Sequence, residues 1–76
     1  MNKYIVPICD ISASNIWIKT VMARSSSECQ DKVMEELIDY YDMENNFSNY
    51  REFIKFIDSN YDILVGDVKD IDELWI

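Results

Sequence analysis

At Ser25 the apolar residues stop recurring at every second position and begin recurring at every third or fourth. That switch of period from two to about 3.6 separates strand from helix and limits the chain to mixed architectures. Before it, "YIVPICDI" (4–11) and "IWIKTVMA" (16–23) are rich in β-branched and aromatic residues, with "SASN" between them. This pattern predicts a β-hairpin. With Ile11 opposite Ile16, one face collects Ile5, Pro7, Cys9, Ile11, Ile16, Ile18, Thr20 and Met22, and this face is expected to cover the helices. The other, with Tyr4, Val6, Ile8, Trp17, Lys19 and Val21, is expected to stay partly open. Pro7 has no N–H for a ladder bond, which predicts an unpaired side to the first strand.

After the switch, Ser25 stands three residues before Glu28, a capping-box spacing that opens a helix running to about Asp42. On a helical wheel Cys29, Val33, Met34, Leu37, Ile38, Tyr40 and Tyr41 share one half. Ser48 or Asn49 caps a second helix, whose Tyr50, Phe53, Ile54 and Ile57 repeat the i, i+3, i+4, i+7 spacing. Asn60 suits its stop, "YDILVGDV" (61–68) reads as a third strand, and "KDIDELWI" forms a turn or short helical coda. The order β-β-α-α-β predicts an α+β fold, a three-stranded antiparallel sheet backed by two helices. A chain of 76 residues with one Gly and one Pro forms one domain, 1–76, without a linker. The N-terminal apolar stretch is too short to span a membrane and lacks a signal-cleavage pattern, so an intracellular, cytoplasmic protein is expected.

Charge narrows the partners. Residues 1–27 hold three bases and one acid, a balance of +2, while residues 28–76 hold fourteen acids and four bases, a balance of −10. The net −8 disfavours nucleic acid and anionic lipid and favours basic surfaces. Enzymatic chemistry lacks its parts: there is no His to serve as a base, and Gly66 stands alone without a phosphate loop. No cofactor is implied. Cys9 and Cys29, without His or a CxxC, do not make a zinc site and read as thiols rather than a disulfide. The acidic runs 67–73 and 39–46 offer oxygen ligands but do not match an EF-hand loop, so no metal site is assigned.

The remaining feature is a ladder. Glu28, Asp31, Glu35, Asp39 and Asp42 recur at helical spacing within about 80° of the wheel. Each i,i+4 like-charge pair costs roughly 0.2–0.5 kcal/mol in an isolated helix. Lys32 is almost the only nearby base, and the acids continue to the helix C-terminus, where the macrodipole opposes them. Acidity then persists through Asp67, Asp70, Asp72 and Glu73. A solvated face explains most such runs, but repeated departures from local rules point to a binding surface. Carboxylates spaced about 4.5–6 Å along a helix axis match the order of spacing of nucleic-acid phosphates. They therefore suit a groove of Lys and Arg on a basic protein, with Trp17, Tyr40, Tyr41, Phe47 and Trp75 as candidate apolar anchors.

In size, acidity and α+β organisation the whole chain resembles the small acidic inhibitors encoded by phages and mobile elements, namely anti-CRISPR proteins and anti-restriction DNA mimics. No residue motif underlies the likeness, so no position carries over. The resemblance implies a non-enzymatic inhibitor that covers the nucleic-acid-binding surface of a nuclease or Cas effector complex in the host cell. A second reading is an assembly module acting by strand addition or homodimerisation through the hairpin face with Val6, Ile8, Trp17 and Val21.

Overall fold

The computed structural model describes residues 1–74, with side chains through residue 72. It is α+β: β1 (Asn2–Asp10), β2 (Asn15–Ala23), α1 (Ser26–Tyr40), α2 (Tyr50–Tyr61), β3 (Ile63–Val65), β4 (Lys69–Asp70) and a short 3-10 turn over Ile71–Leu74. The order strand, strand, helix, helix, strand is the expected one, and the sheet is antiparallel. Trp75 lies outside the described residues.

The last strand is divided. β3 pairs with Ile8–Asp10 and β4 with Tyr4–Ile5, while Gly66–Val68 step away between them. β1 is therefore the central strand, with β2 on one side and β3 and β4 on the other. This corrects the expectation that Pro7 marks an unpaired strand side. A strand residue directs its N–H and C=O to the same side, and the Pro7 carbonyl accepts from Gly66 N–H at 2.8 Å. The donor that proline lacks thus faces the gap between β3 and β4, where no ladder partner waits.

The hairpin register pairs Cys9 with Ile16 and Asp10 with Asn15, two residues from the Ile11–Ile16 pairing. A slip of two preserves which residues share a face. Which face meets the helices, however, is the reverse of the expectation. Tyr4, Val6, Ile8, Val21 and Ala23 are buried against Cys29, Val33 and Leu37 of α1, Phe53 and Ile57 of α2, and Ile63 of β3. The face with Ile16, Ile18, Thr20 and Met22 is exposed, with Ile11 beyond it in the turn. Lys19 is the one charged residue among those named on the inner face. It sits on the edge strand, half-buried, and forms an ion pair with Glu36 of α1, so its charge is compensated there. Ala23, fully buried, is small enough for the start of α1 to close over the sheet.

Both helices begin as their caps predict. Ser25 Oγ accepts from Glu28 N–H at 3.2 Å, and Asn49 Oδ1 accepts from Glu52 N–H at 2.8 Å. α1 stops at Tyr40, two residues short of Asp42, whose φ of 53° is left-handed. α2 runs one residue past Asn60 to Tyr61 and is capped by Asp62, also left-handed. No helix among the described residues is long and apolar enough to cross a membrane.

Candidate functional site

Amphipathic burial of Cys29, Val33 and Leu37 turns the opposite side of α1 outward and with it the acids. Asp31, Glu35 and Asp39 are exposed at successive i,i+4 positions, about 6 Å apart along the axis by helical rise. Asp42, exposed beyond the helix end, follows them. Among the described residues none of these four carboxylates has an ion partner.

Glu28 differs. It is half-buried and lies 3.4 Å from Lys32 Nζ, which donates to the Met22 carbonyl at 2.8 Å. Lys32 is thereby drawn to the edge of β2, and Glu28 with it. The uncompensated row is Asp31, Glu35, Asp39 and Asp42, with no basic residue in the last turn of α1.

Toward its C-terminal end the row meets aromatic surface. Trp17 of β2 and Tyr40 of α1 have ring centroids 6.3 Å apart, and Tyr40 stands edge-on to Tyr41 at 4.8 Å. Tyr40, expected on the apolar half of the wheel, is 70 % exposed at the last position of α1. Trp17, Tyr40, Leu37, Asp39, Glu36, Lys19 and Asn15 line a groove of about 520 Å³ between α1 and β2. Its one cation, Lys19, is already paired with Glu36. The chemistry left to the groove is two aromatic rings beside the Asp39 carboxylate, which suits the stem and head of a lysine or arginine.

Of the C-terminal acids, Asp67 and Asp70 do not extend the row. Asp67 shares a second groove, of about 890 Å³, with Asp31, but Arg51 and Lys55 line it too, so its charge is mixed. Asp70 is half-buried and occupied internally, accepting from Asn2 Nδ2 at 3.1 Å and from the Asp72 backbone N–H at 3.0 Å. Asp72 is exposed, and Glu73 has its backbone in the 3-10 turn, its side chain lying outside the described residues. Among the described residues no group of three or more carboxylates or thiols is placed to hold a metal ion. Cys9 and Cys29 are free thiols, and burial pushes the Cys29 thiol pKa up.

The sequence reading passed over two polar groups. Asp10, 9 % exposed at the end of β1, accepts from Tyr41 hydroxyl at 2.9 Å and from Ala13 N–H at 3.2 Å. Its signal was present, since an acid ending an apolar strand before "ISAS" is placed to cap a turn. Burial first, and then the Asp10 carboxylate, push the Tyr41 phenol up to about 12. Tyr50 hydroxyl is buried with no hydrogen-bond partner among the described residues, and burial pushes it up to about 12 as well.

No protein-family model, no curated protein and no solved structure is similar to the chain. The functional reading therefore rests on surface chemistry.

Proposed function

We propose that the chain is an acidic, non-catalytic inhibitor that binds the nucleic-acid-binding surface of a basic protein, with a nuclease or Cas effector complex of a host cytoplasm as the target class. The observation that carries this reading is the row Asp31, Glu35 and Asp39, exposed along α1 with Asp42 just beyond its end, none of them ion-paired among the described residues. Such a row is unfavourable to the helix alone and becomes favourable only against fixed cations. Binding releases counterions from both surfaces, as phosphate does on a basic protein, and so weakens steeply with salt. Exposed charges alone hold little durable affinity. The Trp17–Tyr40 groove supplies the desolvated anchor beside them, in which a partner's arginine or lysine lies against the rings.

Replacing Asp31, Glu35 and Asp39 by lysine tests the reading through complex formation with the captured basic partner and inhibition of its nucleic-acid binding, at low and high salt. Loss of both at low salt, in a variant with unchanged circular dichroism, is the expected result. Undiminished binding by that folded variant removes the proposal.

A further inference from the structure

The helices cover one face of the sheet, and among the described residues no helix lies on the other. Strand alternation places Ile5, Pro7 and Cys9 of β1, Ile16, Ile18, Thr20 and Met22 of β2, and Leu64 of β3 on this outer face. Ile16 is 76 % and Ile18 63 % exposed, and Ile11, Met22 and Leu64 are about half exposed. Lys3 and Lys69 stand at one end of the face, and no acid occupies any of its strand positions. In a chain with fifteen acids, their absence from one whole face is a segregation of charge.

We infer that this face is covered by a second copy of the chain, the two sheets stacking face to face about a two-fold axis. Area is the first argument. By these exposures the side chains leave on the order of 600 Å² open, at the top of the roughly 300–600 Å² of a monomer's largest apolar patch. The amount approaches the about 800 Å² that each partner gives to a standard interface.

Charge is the second argument. A basic partner finds no carboxylate on this face to pair with. A second copy is excluded only if the two −8 molecules repel, and face-to-face stacking prevents that. The layers then run helix, sheet, sheet, helix, with the sheets about 10 Å apart. Both α1 rows lie on opposite outer surfaces, well beyond the roughly 8–10 Å over which charges act at moderate salt. An axis near Pro7 and Ile18 sends the two lysine ends to opposite rims, where their stems cover the aliphatic edge.

The face, not the strand edge, is the contact. Lys32 from α1 already occupies the Met22 carbonyl on the outer edge of β2, which blunts that edge against strand addition. Trp17, Val6, Ile8 and Val21, the residues expected at a dimer contact, belong to the inner layer and take no part in it. The inference is independent of the acidic row, which a dimer would present twice on opposite sides.

Sedimentation of the wild-type chain from micromolar to near-millimolar concentration tests it, with Ile18→Lys and Thr20→Lys as variants. The expected result is a species of twice the chain mass that persists at high salt and is lost in both variants without change in circular dichroism. Cys9 supplies a readout that needs no substitution. Its thiol lies on the face and should react with a disulfide reagent more slowly as concentration rises, while buried Cys29 stays unreactive in the folded protein throughout. A monomer at every concentration overturns the inference. So does a dimer that survives both substitutions while Cys9 reacts at a rate independent of concentration.

Discussion

Gly66 donates its backbone N–H to the Pro7 carbonyl at 2.8 Å, and a β-carbon built on Gly66 would stand 2.5 Å from Pro7 Cγ. The glycine is needed for close approach to a rigid ring, since its φ is not in the left-handed region. Gly66→Ala is therefore expected to destabilise by about 1–3 kcal/mol, as overpacking does. In a Pro7→Ala background the cost should shrink, because the atoms it would strike at 2.5 and 3.2 Å are gone. Urea unfolding of the four chains of this cycle measures the coupling.

Tyr41→Phe and Asp10→Ala should each destabilise by about 1.5–3 kcal/mol, the range for hydrogen bonds to a charged group. The bond between them, at 2.9 Å, ties the end of α1 to the hairpin. The double variant should cost less than the sum of the single ones, because each single change already removes that bond.

The two tyrosines predict an alkaline limit. Their phenols stand near 12 in the folded protein against an ordinary value of 10. Folding thus favours the protonated form, and its stabilising effect is complete below pH 10. It is lost as pH rises from 10 through 12. Thermal unfolding should show Tm falling across that window, and Tyr50→Phe should flatten the fall. At neutral pH Tyr50→Phe should be neutral or stabilising by up to about 1 kcal/mol, because it removes a buried hydroxyl that has no partner among the described residues.

Glu35 stands between Asp31 and Asp39 at i,i+4 on both sides. Glu35→Gln relieves two repulsions and should raise stability by about 0.4–1 kcal/mol at low salt, with the gain vanishing at high salt. The same change should weaken the proposed complex. A residue that costs stability alone and adds affinity in the complex separates a binding row from a merely solvated face.

Tyr40→Ala should lower stability by no more than about 1.5 kcal/mol, the scale of its ring contacts with Trp17 and Tyr41. Its effect on the basic partner should be tenfold or more, as for a central aromatic anchor, read as a faster dissociation rate.

Residues whose local chemistry decides their structure were legible in advance. Ser25 and Asn49 cap their helices through their own side chains, and the Phe53–Ile57 spacing selects one helical face whatever surrounds it. Sheet sidedness was not legible, because Ile5, Ile16 and Ile18 on one face are as apolar as Val6, Ile8 and Val21 on the other. Only the packing of α1 and α2 chooses between them. The centrality of β1 was hidden for a related reason, as Pro7 is unfavourable in a ladder until a distant glycine opens a gap opposite it. Of the acids, Asp31, Glu35 and Asp39 stand as a row because helical geometry alone puts them there, whereas Asp42 lies past the helix end in a left-handed turn. Glu28 was within reach, since Lys32 stands at i,i+4 from it on the same helix, but Asp70 was not, since Asn2 engages it only after folding.

Because β1 takes one neighbour from residues just downstream and the other from Ile63–Asp70, some sixty positions away, its two sides close at different times. The hairpin can form by itself, but the second side waits for a long loop to be spanned, a slow event compared with helix growth. Until then an aliphatic ribbon lies bare along an unfilled margin, and kinetic competition between intramolecular capture and clumping decides the yield of folded protein.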